Sequence, residues 1–308
     1  GVLRLGPEDV TIATAGLPFV YALGNNFFFP LMAAGTAILP ADLLLPTVLG
    51  ELARHGATVL VAGPWSLGAV VRLVRRPRWI EAIRRLRCVL SAGEPLPARI
   101  FLDWKERFGK EVLDNLGCTE MFNSFVSNVP GDARPGSLGR PVAGFEVRVG
   151  GSAPRPHARG ELRVEGESRA IAIGQDGNLA PTSGEDCETG DEVEVDADGR
   201  LSFCGRLDDR FKVKGRFLHP LEVERCLMEV SGCEQCLVGA ESDPGGLTTP
   251  VARVVVSEGA NGEELIRLLL RHARQRLEAF AVPERIELVE SLPRTPRGKL
   301  VRRRLDDG

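Results

Sequence analysis

No charged residue occurs between Ile12 and Ala41, whereas the rest of the chain sets short apolar bursts between polar and glycine-rich turns. A membrane span needs about 20 uninterrupted apolar residues. Pro18, Gly24, Asn25, Asn26 and Pro30 interrupt this stretch, and Glu8 and Asp9 stand where a signal peptide carries basic residues. The pattern therefore predicts buried strand, turn, helix and strand inside a large core, with no membrane span. Leu44 to His55 has helical spacing, and Thr58 to Ala62 is an apolar run of strand length. Pro64 to Arg75 predicts a helix with Pro in its first turn. Strands are expected at Arg87 to Ala92 and Glu111 to Leu116, with an amphipathic helix at Pro97 to Phe108. This alternation predicts an α/β domain, a mainly parallel sheet with helices on its faces.

After Pro141 the period changes to two. Phe145 to Val149, Glu161 to Glu165 and Glu192 to Val195 alternate apolar and polar positions, with a turn at Asp198-Gly199. A small antiparallel β region with one buried face is expected there. From about Asp208 a compact α+β unit begins: a helix over Leu221 to Val230, strands at Cys236 to Gly239 and Val251 to Val256, a long helix over Gly262 to Phe280, and a strand at Arg285 to Leu288. The expected division is 1–207 for the large domain and 208–308 for a small C-terminal domain.

Composition narrows the function classes. The 308 residues are 43% apolar and 26% charged, with net charge −3. That is ordinary globular composition, with no field to recruit nucleic acid or an anionic membrane. Seven Cys lie at 88, 118, 187, 204, 226, 233 and 236. Their odd count and irregular spacing point to reduced thiols and a cytoplasmic setting. Cys233 and Cys236 form the only CxxC, and no second pair completes a zinc site. Two small buried residues entering a strand is the reading favoured there.

Four short motifs remain. In Gly117-Cys-Thr-Glu-Met121, Thr119 and Glu120 follow a strand and offer a hydroxyl and a carboxylate to a phosphate and its Mg²⁺. A plain strand-to-loop turn with a solvated Glu is the alternative. In Thr189-Gly190-Asp191, Asp191 can accept from a ribose diol, with Arg206 adding to the same group, or it is a turn residue. The segment Gly205 to Gly215 carries adjacent acids at 208 and 209 where the texture changes, suited to a hinge or to a plain charged linker. The terminal Pro293-Arg-Thr-Pro-Arg-Gly-Lys299 holds one Lys on a loop restricted by Pro and Gly, suited to charge developing on a carboxylate and phosphoryl group. The nearby Arg residues lack interleaved aromatics, and Asp306 and Asp307 follow, so nucleic acid is not expected.

Together with LSAGEPLP (Leu90 to Pro97), GSLGRPVAGFEV (Gly136 to Val147) and DADGRLSFCGRLDD, these motifs resemble the AMP-dependent synthetase and ligase family, most of all its benzoate-CoA ligase subgroup. The resemblance covers essentially the whole chain. It implies an acid–thiol ligase: a carboxylate attacks the α-phosphorus of ATP to give acyl-AMP and pyrophosphate, and the thiol of coenzyme A then takes the acyl group. It further implies that Thr119 and Glu120 meet phosphate and Mg²⁺, that Asn115, Asp191 and Arg206 serve the nucleotide, and that Gly93, Glu94 and Pro95 line its adenine. Asp208 would be the hinge, and Lys299 the cation of adenylation. Lys214 and Gly215 would face the pantetheine tunnel after the small domain rotates. Tyr21, Ala22, Gly117 and Asn123 would border the acyl pocket, and the aromatics of the first segment favour an aromatic, benzoate-like acid.

Several departures accompany the resemblance. The family's Ser/Thr/Gly-rich phosphate loop ending in Pro-Lys is absent from these 308 residues, and position 1 is not Met. The expectation is an N-terminally incomplete ligase, poor or inactive in adenylation by itself. Cys187-Glu188 stand where the family usually has Tyr-Arg, placing a negative charge beside the nucleotide, and Ala22 replaces a usual Gly. Two rivals stay open: an ATP-independent transferase from aryl-CoA to a carrier-protein phosphopantetheine thiol, and a degenerate interaction module. A homodimer is also compatible with the sequence.

Overall fold

The computed structural model describes residues 2–175, 178–182, 184, 186–242, 248–257, 259–295 and 300–301. Two compact units divide the chain, one of residues 1–189 and 193–203, the other of 190–192 and 204–308.

The first unit opens on β1 (Val10–Ala13), followed by α1 (Val20–Leu23), a π-helical turn (Gly24–Phe28), α2 (Phe29–Met32) and β2 (Thr36–Ile38). Strand and helix then alternate through α3 (Leu45–His55), β3 (Val59–Ala62), α4 (Pro64–Leu73), α5 (Pro77–Arg85), β4 (Cys88–Ser91), α6 (Ala98–Phe108) and β5 (Val112–Gly117). With β6 (Ser124–Ser127) and β7 (Arg140–Pro141) they build a seven-stranded sheet in the order β2-β1-β3-β4-β5-β6-β7. The strands from β2 to β5 run parallel, and β6 and β7 are antiparallel. The predicted parallel sheet is borne out. Helix starts and stops follow local chemistry: α3 and α4 carry Pro in the first turn, which its fixed φ suits, while α3 and α6 end on Gly56 and Gly109 in the left-handed region. Trp104 of α6 is fully buried, and its indole N–H donates to the Leu67 carbonyl at 3.0 Å.

At the amino end of β1 the buried Asp9 accepts two 2.6 Å hydrogen bonds from Arg87 and one of 2.7 Å from Thr58. The Arg87 guanidinium holds the Asp9 carboxyl down at about 2.

A four-stranded sheet follows, ordered β13-β12-β9-β8, from β8 (Phe145–Val149), β9 (Arg159–Gly166), β12 (Cys187–Val195) and β13 (Leu201–Arg206). Its alternating burial matches the period-two reading, with Val147, Leu162, Val164, Val193 and Val195 in the core. Between β9 and β12 lies a short hairpin of β10 (Ala172–Gln175) and β11 (Asn178–Pro181).

In the second unit β14 (Phe211–Val213) and β15 (Arg216–Leu218) form a hairpin ahead of α7 (Pro220–Met228). Strands β16 (Cys233–Ser242), β17 (Thr248–Val256) and β18 (Arg285–Val289) make a three-stranded sheet, with α8 (Gly262–Arg276) on the same core. Helix α8 stops short of the predicted Phe280 because Leu277 turns extended, at φ −109° and ψ 155°. Cys233 and Cys236 lie on β16, and burial pushes the Cys233 thiol up to about 12, the reverse of a redox-active pair. No helix among the described residues is long and apolar enough to cross a membrane.

Candidate active site

In an open α/β sheet the loops beyond the carboxyl ends of the strands form the natural ligand crevice, above all where the strand order reverses. Here the chain leaves β1 for β2 on one side and returns to β3 on the other. The segment after β1, the Gly93 turn after β4 and the GCTEM turn after β5 all leave that edge.

Tyr21 lies on α1, and its phenol oxygen accepts from Asn115 Nδ2 of β5 at 3.0 Å. Burial pushes this phenol upward, so it stays a neutral hydroxyl. Ser124 Oγ donates to Asn115 Oδ1 at 2.5 Å, and Asn25 Nδ2 donates to Asn123 Oδ1 at 3.1 Å. Asn123 in turn donates to the Val20 carbonyl at 3.3 Å and accepts from the Ser124 N–H at 2.8 Å. Neutral side chains thus tie α1 and the π-helical turn to the β5–β6 connection. Glycine sterics complete the arrangement: a Cβ on Gly24 would overlap the Asn123 amide, and one on Gly117 would overlap the Asn123 backbone. Ala22 is fully buried. Phe122 sits at φ 66°, an uncommon place for a bulky residue. Its ring meets those of Phe28 and Phe29 edge-on at 5.7 and 6.1 Å.

The predicted Tyr21, Gly117 and Asn123 are therefore brought together, along with Asn115. Sequence reasoning missed Asn25, Ser124 and Phe122. Its signal for Asn25 was available: a buried amide amid a charge-free apolar run must find a hydrogen-bond partner.

Thr119 and Glu120 occupy a single 3₁₀ turn, Thr119–Met121, with Thr119 exposed and Glu120 half-buried. The Glu120 carbonyl accepts from the Ala170 N–H at 2.6 Å, pinning the turn. Mg²⁺ is usually held by one or two carboxylates plus substrate phosphates. The Thr119–Glu120 turn fits that role; among the described residues no group of three or more His, Cys, Asp or Glu could cage a metal by itself. Gly93, at φ 93°, is exposed in the turn after β4, with Glu94 and Pro95 half-buried beside it. The Leu96 N–H reaches Asp114 of β5 at 3.4 Å and ties this turn to the sheet. Burial raises the Cys118 thiol, to which Cys187 is hydrogen-bonded. Glu188 is ion-paired with Arg163, so its charge is compensated within its own sheet.

In the second unit Asp191, 5% exposed, accepts from Arg206 Nη1 at 3.0 Å. Gly190, at φ 68°, lies under that guanidinium, and its carbonyl accepts from the Leu207 N–H at 2.8 Å. Asp208 is exposed just beyond, between β13 and β14. Lys214 and Gly215, at φ 49° and 80°, are the two-residue turn of the β14–β15 hairpin, the left-handed pair that matches strand twist. Lys299 lies outside the described residues.

The parallel sheet, the motif-bearing turns at its carboxyl edge and the small α+β unit have the fold of the adenylate-forming enzymes. The chain belongs to the AMP-binding enzyme family: residues 2–172 match the AMP-binding enzyme domain, and 222–299 match the AMP-binding enzyme C-terminal domain. Among curated relatives, benzoate–CoA ligase of Thauera aromatica is 33% identical over 99% of this chain and 59% of its own length. The p-hydroxybenzoic acid–AMP ligase FadD22 of Mycobacterium tuberculosis is 37% identical over 97% of this chain and 43% of its own. The crystal structure of the anthranilate CoA ligase AuaEII in complex with anthranoyl-AMP superimposes with a TM-score of 0.86 at 32% identity, covering 97% of this chain and 59% of that one. The chain thus spans about three fifths or less of these relatives.

Proposed function

We propose that this chain carries the acyl pocket, nucleotide residues and mobile domain of an acid–thiol ligase that adenylates a benzoate-like acid with ATP and passes it to coenzyme A in the cytoplasm. The observation that carries this reading is the Tyr21–Asn115–Ser124–Asn123–Asn25 network at the carboxyl edge of the sheet, bordered by Phe122. Neutral amides, a hydroxyl and aromatic edges suit a flat acid whose ring is apolar and whose carboxylate is consumed in the reaction. The names of relatives such as the benzoate–CoA, p-hydroxybenzoic acid–AMP and anthranilate–CoA ligases support the same class.

The proposed division of labour follows the chemistry of each side chain. Asp191 offers a carboxylate to the ribose hydroxyls, with Arg206 fixing its orientation at 3.0 Å. Gly93, Glu94 and Pro95 form an adenine wall, and Gly93 brings backbone close to the base. Thr119 meets phosphate oxygen, and Glu120 would hold Mg²⁺, whose charge offsets that of the triphosphate. Lys299 supplies a positive charge where the acid carboxylate attacks the α-phosphorus. A P–O bond to pyrophosphate breaks as the acyl–phosphate bond forms; the thiol sulfur then bonds to the acyl carbon and AMP leaves. For that second step the small domain, 208–308, turns about Asp208 and brings the Lys214-Gly215 turn to the pantetheine.

Calorimetric titration with AMP tests the nucleotide part directly. Asp191→Asn should weaken AMP binding by roughly thirtyfold, the worth of a hydrogen bond to a charged group. Equal affinity in both proteins would remove Asp191 from the nucleotide site.

A further inference from the structure

Between Arg72 and Arg87 the sequence sets seven Arg against one acid, Glu81, with no Lys, in a chain of net charge −3. A helix that links two parallel strands runs back against them, so its carboxyl end lies at the amino edge of the sheet. α4 and α6 are such helices, and α5 leads directly into the amino end of β4. These arginines therefore gather at the edge opposite the loops that carry Tyr21, Gly93 and Thr119.

Arg107, near the end of α6, joins them and donates to the carbonyls of Val71 and Val74 at the end of α4. Arg75 donates to the same Val74 carbonyl at 3.1 Å, and Arg84 of α5 donates to the Arg107 carbonyl at 3.3 Å. Burial, and then the charge of Arg75, pull the Arg107 guanidinium below its ordinary value. Capping of helix carbonyls explains why Arg75, Arg84 and Arg107 lie where they do. It does not explain Arg76 and Arg78, both exposed, of which Arg76 lies over the Trp79 ring at 4.6 Å. Among the described residues no acid pairs with Arg75, Arg76, Arg78, Arg84 or Arg107, and Glu81 is spent on Arg85.

On its other side α5 packs against α3, and a cleft of about 380 Å³ opens there. Its lining sets the apolar Leu52, Ala53, Ala57 and Ala82 beside Arg78 and Arg85. An apolar hollow beside unpaired guanidinium groups is the make-up of a protein interface, where Arg is enriched and its fork grips a carboxylate by both oxygens. Other polyanions fit less well. Single-stranded nucleic acid stacks its bases on aromatic rings, but Trp79 is half-buried and covered by Arg76. A membrane surface takes up the apolar face of an amphipathic helix, but Trp79, Ile80 and Ile83 of α5 are packed against the core. We propose that this end of the first unit docks an acidic polypeptide, which pairs carboxylates with Arg75, Arg76, Arg78, Arg84 and Arg107 and seats an apolar side chain in the α3–α5 cleft. The surface is separate from the candidate active site and independent of the ligase reading.

The test is fluorescence anisotropy of a labelled peptide of Glu with Leu at every fourth position, titrated with the 308-residue chain. A second peptide carries Ser in place of Leu. Vesicles of phosphatidylcholine with phosphatidylglycerol, and oligothymidylate, stand for the other polyanions. The Glu/Leu peptide should bind, more weakly as salt is raised, and at least about fivefold tighter than the Glu/Ser peptide. Arg75→Glu combined with Arg78→Glu should weaken both peptides by at least about tenfold. Ala82→Leu, which fills the cleft, should weaken the Glu/Leu peptide alone, by roughly fivefold. Should the double variant fail to fold, Arg78→Gln takes its place, with an expected loss of roughly threefold. Failure of the Glu/Leu peptide to bind, equal binding of the two peptides, or charge and cleft variants that bind as wild type does would each overturn the docking surface. Tighter binding of vesicles or oligothymidylate than of the peptide would overturn its assignment to an acidic polypeptide.

Discussion

The network around Tyr21 and Asn123 and the β12–β13 strip are held by different kinds of contact. Around Tyr21 and Asn123 the contacts are short hydrogen bonds among neutral groups, backed by glycines whose missing Cβ atoms let backbone and amide touch. All the participants belong to one unit and gather at its seven-stranded sheet. On the β12–β13 strip Asp191 pairs with Arg206, and Glu192 pairs with His219 at the start of α7. The second pair joins residues on either side of Asp208 in the chain. A pocket that must recognise a shape gains from contacts that do not rearrange. The Asp9–Arg87 pair sharpens the point. Its Asp9 is buried and its Arg87 exposed, and the two tie the amino ends of β1 and β4 together within one sheet.

The contrast can be broken in order of effect. Gly117→Ala should be the most damaging single change, since the new methyl group collides with Asn123 backbone that cannot swing aside. A loss of about 3 kcal/mol is expected in urea unfolding, accompanied by weaker binding of any aromatic acid. A neutral effect would show that the loop is softer than the network implies. Lowering the pH tests the static ion pair. The Asp9 carboxyl is depressed to about 2 in the folded chain, so its contribution is complete above the ordinary carboxylate range and is lost as pH falls from about 4 towards 2. Acid titration of stability should therefore show about 2 kcal/mol that Asp9→Asn lacks. If wild type and variant lose stability in parallel, Arg87 does not stabilise the ionised form. Tyr21→Phe removes the acceptor for Asn115 and should cost about 1 kcal/mol, read by thermal unfolding. Backbone amide exchange of 207–218 should stay unchanged in that variant, which separates the two regions.

Much of this architecture was legible in the pattern of residues. The helices α3, α4 and α6 and the strands β3, β4 and β5 fall close to their predicted spans because each is bounded by Pro, Gly or a change of period. Helix α5 was not anticipated: its sequence, PRWIEAIRR, is short and Arg-rich and buries only Ile83 fully, so its apolar stripe is thin. The π-helical turn at Gly24–Phe28 was also invisible, since its extra residue is imposed by partners such as Asn123, 98 positions from Asn25. The same limit hid Glu192 and His219. A motif declares residues that lie together in the chain, as Thr119 and Glu120 do, but a hydrogen bond between distant residues has no sequence period. The charge on Glu188 is met by Arg163 from β9, a strand neighbour that only the sheet order reveals.

The central claim is that the chain serves acid-dependent adenylation. Its most direct test is exchange of pyrophosphate into ATP, driven by benzoate, hydroxybenzoates, aminobenzoates and short aliphatic acids, with the 308-residue chain and with a form extended at its amino end by a phosphate loop. Exchange should depend on an aromatic acid, exceed that with any aliphatic acid, and fall at least about a hundredfold in Lys299→Ala, as when a group stabilising transition-state charge is removed. Absence of acid-dependent exchange in both forms, or exchange indifferent to Lys299, would contradict it.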